Sequence, residues 1–184
     1  MGNCYQSAGQ NMLEHGQAVR SKFRELLSHL KTHVPLSSEW RLPTWLDESA
    51  GALLLANLPT LALVEQYQLY HDCGKPQCRT VDADGRQHFP DHAAVSKRVW
   101  LEHGGDVETG ELIGMDMDVH LLKAEGVVEF ANRPQAATLL LTALAEVHAN
   151  APMFGGIEST SFKIKLKHIE RRGKQIIQHL REKK

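Results

Sequence analysis

The chain has 184 residues, 42% of them hydrophobic, enough for one sizeable core and too few for two comfortable domains. Its formal net charge of −1 hides an asymmetry: nine of the twenty-one Lys and Arg residues fall in 161–184, beside only two of the twenty-two Asp and Glu residues. No long apolar span or signal peptide stands out, and the three cysteines (Cys4, Cys73, Cys78) follow no disulfide spacing, so reduced thiols in a cytoplasmic protein with no membrane contact are expected.

Periodicity predicts an all-α fold, a single domain over 1–184 with its core at about 11–150 and a basic C-terminal segment at 161–184. Helices are expected at about 11–32, 46–70, 91–103, 109–123 and 134–150, and no segment alternates convincingly as a strand. In the first helix Met12, Leu13, Val19, Phe23, Leu26, Leu27 and Leu30 form one inward stripe. Residues 32–51, with two prolines and two tryptophans, read as an ordered connection. After the apolar run of 53–69 comes "YHDCGKP", where His71 and Asp72 sit side by side. A charged pair ending a core-like run is costly to desolvate without compensation, and a bound cation is the strongest compensation, a helix cap or local ion pair the plainer one. Residues 79–90 predict a loop or small hairpin turning at "DADG".

Beyond the pair, His15 in "MLEHGQAV", His92 in "HFPDHAAVS" and His120 in "LIGMDMDVHLL" are flanked by apolar residues that hold them near the core. Neutral imidazoles are good transition-metal ligands and an adjacent carboxylate supplies charge. Asp116 and Asp118, two residues apart on an expected helix, point in different directions; either one of them orients a ligand or both are surface residues, the commoner outcome. In the last segment Leu166, Ile169, Ile176 and Leu180 fit one helical face, which Gly173 weakens. Lys163 and Lys165, close to Ser161, meet either phosphate or solvent, whereas Arg181, Lys183 and Lys184 read as a solvated face.

These residues resemble the HD-domain superfamily of metal-dependent phosphohydrolases, all-α helical bundles whose signature is a first His, an adjacent His-Asp pair, often two further His, and a final Asp. "LEHGQAV" at 13–19 is similar to the first element, and "HDCGKPQCRTVDADGRQHFPDH" at 71–92 looks like the HD domain of tRNA nucleotidyltransferases. Where that family has "AEADA" this chain has "AEVHA", which puts His148 in the place of the final Asp and leaves it either a ligand or a core residue.

The resemblance implies one or two divalent ions (Mn, Ni, Co, Fe or Mg) held by His15, His71, Asp72, His92, His120 and His148. Asp72 is then catalytic and Lys75 holds a phosphate oxygen; beyond the stretch the resemblance covers, Ser161, Lys163 and Lys165 of the basic segment are the candidates to bind such a polyanionic substrate. The implied activity is a phosphatase or 2',3'-cyclic phosphodiesterase acting on nucleotides or RNA ends, with no obligate protein partner. A di-iron oxygenase of the same scaffold and a non-catalytic nucleotide- or RNA-binding HD domain are the alternatives.

Overall fold

The computed structural model describes residues 1–2, 5–7 (backbone only) and 10–183, so the expectations for Cys4 and Lys184 lie outside the described residues. The chain is mostly helical. In order it forms β1 (Tyr5–Ser7), β2 (Gln10–Asn11), α1 (Met12–Thr32), α2 (Glu48–Leu55), α3 (Leu61–Tyr70), α4 (Lys75–Cys78), β3 (Thr80–Val81), β4 (Gln87–His88) and α5 (His92–Glu102). There follow α6 (Val107–Gly114), α7 (Asp118–Leu121), α8 (Val127–Ala131), α9 (Ala136–Ala149) and α10 (Thr160–Glu182). Among the described residues no helix is long and apolar enough to cross a membrane.

The residues divide into two compact units. One holds Met1–Arg20 and Thr60–Met117, the other Ser21–Pro59 and Asp118–Lys184. In the first unit α3 and α5 pack on α6, α4 packs on α5, and Val64, Tyr67, Leu112 and Ile113 are buried. The start of α1 is fixed by a reciprocal cap. Asn11 Oδ1 accepts from the backbone N–H groups of Leu13 and Glu14 at 3.0 and 2.9 Å, while Glu14 Oε2 accepts from Asn11 N–H at 2.8 Å. β3 and β4 pair antiparallel, Thr80 with His88, so 79–90 is the small hairpin its turn residues predict.

In the second unit α10 packs on α7, α8 and α9, and α2 packs on α9. Every residue of α9 from Ala136 to Ala145 is buried, as its nearly uninterrupted apolar sequence requires. α10 runs through Gly173 without a break. A Cβ there would lie 2.4 Å from the Trp45 ring, so the glycine makes room for an indole and its helix-propensity cost is offset by that packing.

Two predicted helices are each divided. The 46–70 run is interrupted at 56–60, where Pro59 lacks the N–H that a helix interior needs. The 109–123 run stops after Gly114 and restarts at Asp118. Both runs are apolar enough to read as continuous, because burial, not periodicity, sets their composition.

Candidate metal centre

The first unit brings three predicted ligands together. Among the described residues, the group of His, Cys, Asp and Glu whose ligand atoms lie within 4.8 Å of one another is His15, His71 and Asp72, all buried. His15 Nε2 lies 3.7 Å from Asp72 Oδ2 and His71 Nε2 lies 3.5 Å from the same oxygen. His92 approaches the other oxygen, with Nε2 3.8 Å from Oδ1.

Each residue is placed by a local device. His15 is carried past α3 by Gly16, where a Cβ would lie 2.4 Å from the Leu69 carbonyl oxygen; only glycine allows helix backbones this close. His71 caps the C-terminus of α3, and its Nδ1–H donates to the Gln68 carbonyl at 2.8 Å, which turns the Nε2 lone pair toward Asp72. The Asp72 turn is pinned to α5 through Gly74, whose N–H donates to Ser96 Oγ at 2.9 Å and whose Cβ would collide with Ser96 N at 2.4 Å. His92 opens α5 behind Asp91, which takes the left-handed conformation at φ 51°. The His92 Nδ1–H donates to Phe89 O at 3.1 Å, so its Nε2 also faces inward as an acceptor.

Burial raises the Asp72 carboxyl, but positive charge around it outweighs this and leaves the pKa lowered, so Asp72 is an anion; that charge sits on His71 and His15 when they are protonated and on Lys75 throughout, and an ion held between neutral imidazoles would stand in for the first two. Lys75 Nζ donates to its Oδ2 at 2.7 Å and lies 5.4 Å from the Phe89 ring centre. Oδ1 is buried and accepts no hydrogen bond among the described residues. A buried carboxylate oxygen without a donor is costly, and imidazole acceptors turned toward that carboxylate make the arrangement worse unless positive charge lies between them. The separations of 3.5 to 3.8 Å exceed hydrogen-bond range but suit atoms that share an ion at about 2.0–2.2 Å from each. The residues therefore fit a metal ion, and an imidazole-rich set suits transition metals better than Mg. Cys73 is not part of the set: burial, aided by the Asp72 charge, pushes its thiol up to about 11, and its Sγ–H donates to Ser96 O at 3.3 Å.

The remaining predicted residues belong to the second unit. His120 pairs through Nε2 with Glu146 Oε2 at 3.0 Å, both side chains largely buried. His148 spends both ring nitrogens inside the protein. Its Nδ1–H donates to Leu144 O at 2.7 Å, and Nε2 accepts the Arg41 N–H at 3.1 Å. Trp40 stacks on the ring at 4.2 Å and Phe162 meets it edge-on at 5.2 Å. The ligand expectation for His148 is thereby corrected, since no lone pair is left for an ion. Ser161, Lys163 and Lys165 are exposed at the start of α10, with Lys163 paired to Glu158 at 3.2 Å and Lys165 over the Phe154 ring.

Asp116 lies in the break after α6 and Asp118 opens α7, so the two do not share the helix expected of them. Asp116 is buried and accepts from Tyr67 Oη at 2.7 Å, while Asp118 accepts from Arg133 at 2.6 Å. Tyr67 in turn meets the His71 ring edge-on at 6.4 Å, so Asp116 braces a candidate ligand at one remove. Sequence reading missed Tyr67 and Glu146; the i, i+4 spacing of Tyr67 and His71 was the available signal for the first. Comparison with protein-family models, curated proteins and solved structures gives no match for this chain.

Proposed function

We propose that the chain is a metal-dependent phosphohydrolase of the HD type, acting on phosphate esters of nucleotides or RNA ends. The observation that carries this reading is the buried Asp72 carboxylate faced by His15, His71 and His92, two of them with Nδ1 tied to a backbone carbonyl. The resemblance of 13–19 and 71–92 to HD-domain motifs supports it from the sequence side. When bound, a divalent ion supplies Lewis acidity and makes a water acidic enough to deprotonate near neutral pH.

The chain's own groups do the rest. Asp72, anionic and held by the turn before α4, supplies the negative charge that retains a cation. Lys75 is 11% exposed at its side chain, within reach of solvent, and shifts from Asp72 Oδ2 to a phosphate oxygen when that carboxylate is otherwise compensated. His92, at 17% the most exposed of the three rings, presents its Nε2 lone pair beside Asp72 Oδ1 and completes the donor set on its more open side.

One observation favours a second reading. Lys75 already lies 2.7 Å from Asp72, so its ammonium is itself a compensating cation, and the domain then binds nucleotide or RNA without turnover. Metal analysis of the purified protein, joined to a screen of phosphomonoesters and cyclic phosphodiesters, decides between them. The expected result is a stoichiometric transition metal and hydrolysis that chelators and Asp72→Ala abolish. Wild-type turnover in Asp72→Ala, or a metal-free protein that binds nucleotide, removes the hydrolase reading.

A further inference from the structure

The exposed cations of α10 are not scattered. Lys163, Lys167, Arg171, Lys174 and Arg181 are all exposed, and at 100° per residue they fall within an 80° sector of the helix, a straight ridge about 27 Å long. Lys165, two residues from Lys163, lies on a different face. Among the described residues Lys167, Arg171 and Lys174 make no ion pair or hydrogen bond, whereas the flanking Lys163 and Arg181 are held by Glu158 and Asp47. The helix's own Glu170 borders the ridge but is drawn off to accept from the Thr44 N–H, at 3.1 and 3.0 Å. Arg172, the remaining cation of this stretch, is buried and donates to the Leu122 carbonyl at 2.8 Å, so it serves the fold.

Beside the C-terminal half of the ridge opens a cleft of about 530 Å³, shared by Lys174, Gln178 and Arg181 with Thr44 and Trp45. Its carboxylates are both engaged, Asp47 by Arg181 and Glu182 by Gln178 Nε2 at 3.0 Å. The Trp45 indole N–H, buried at the wall residue of this cleft, has no hydrogen-bond partner among the described residues.

We infer that this face is a track for a single nucleic-acid strand, with sugar-phosphate lying along Lys163, Lys167, Arg171, Lys174 and Arg181 and an unstacked nucleotide unit entering the cleft. A single row of cations on a convex helix meets one backbone, where a duplex presents two. An anionic bilayer is a poorer fit, because the apolar face of α10 (Phe162, Ile169, Ile176, Ile177) is buried in the protein and is not offered to lipid. The ridge belongs to one unit and is read by binding, so it stands or falls independently of turnover at the metal cluster.

The test is fluorescence anisotropy of a labelled 20-nucleotide oligouridylate with the full chain across a salt series. Wild type is compared with Lys167→Gln/Arg171→Gln/Lys174→Gln and with an equal charge change off the ridge, Lys31→Gln/Arg86→Gln/Lys123→Gln, all exposed positions outside α10. The ridge variant is expected to lower the slope of log K against log salt by about 2, at about 0.7 per lost phosphate contact, with its helix content unchanged, and the off-ridge variant to lower it much less. Equal loss in the two variants overturns the assignment. So does absence of binding by wild type at low salt, tighter binding of a duplex of the same length, or ridge-dependent binding to phosphatidylserine vesicles with RNA binding untouched.

Discussion

His71 and His148 make the same first contact and opposite second ones. Each donates Nδ1–H to a backbone carbonyl earlier in its own helix, at 2.8 Å to Gln68 and 2.7 Å to Leu144, so each is held with Nε2 as the acceptor. Around His148 that acceptor is met by the Arg41 N–H and the ring is enclosed by Trp40 and Phe162. Around His71 it faces the Asp72 carboxylate at 3.5 Å, acceptor toward acceptor, an arrangement that calls for positive charge. Burial and helix face say where a histidine sits; the partner of its second nitrogen separates a candidate ligand from a core residue.

The largest expected effect breaks this contrast in one step. His71→Ala should reduce bound metal, read by elemental analysis after equilibration at a fixed free concentration, by about 100-fold in affinity or more, since even partners that only orient a ligand are worth about 10–100-fold. His148→Ala should leave the stoichiometry as in wild type. If the two variants lose metal equally, the distinction drawn from the second nitrogen fails.

Next in size is Gly16→Ala, which leaves every ligand in place and moves one. A methyl 2.4 Å from the Leu69 carbonyl oxygen forces α1 away from α3 and takes His15 with it. Metal affinity should fall by about 10-fold or more, because a ligand set tolerates little displacement. Unchanged affinity would show that His15 does not contribute.

How much of this was legible in the sequence follows from the same chemistry. That His15, His71, Asp72 and His92 come close together was readable because each lies in a motif that survives in one dimension: "LEHGQAV" around His15, and "HDCGKPQCRTVDADGRQHFPDH" from His71 to His92. His148 was not, since inward position at a helix end is shared by ligands and core residues, and its deciding partner, the Arg41 N–H, is 107 residues away. The basic segment was read as the local pair Lys163 and Lys165, although only the helical period links Lys163 to Lys167, Arg171 and Lys174. The divided helices were missed because apolar composition persists across a break when both sides are buried.

A smaller effect separates stability from binding on the other side of the contrast. His148→Ala should lower unfolding stability by about 2–4 kcal/mol, from the cavity left between Trp40 and Phe162 and from an Arg41 N–H that loses its acceptor. Urea unfolding monitored by tryptophan fluorescence would measure it, and a change below about 0.5 kcal/mol would place the ring outside the core's energetics.

The smallest expected effect is a pH dependence confined to His148. Burial lowers its pKa below the usual 6.5, against the opposing help of its bond to the Leu144 carbonyl, and the nearby Lys22 charge lowers it further. The unfolded chain has no such constraint and takes up its proton near 6.5. The stability His148 contributes is therefore complete above about pH 6.5 and is lost as pH falls from there toward the lowered folded value, with a slope of at most about 1.4 kcal/mol per pH unit for one proton. The chain has eleven histidines, so the measurement is a difference: urea midpoints from pH 7.5 to 5 for wild type and for His148→Gln, with chelator present to keep metal out of both. Wild type should lose midpoint more steeply on the acid side, and the two curves should run parallel above pH 7. Parallel curves throughout would mean that His148 takes up its proton as readily in the fold as out of it, and the contrast with His71 would then rest on geometry alone.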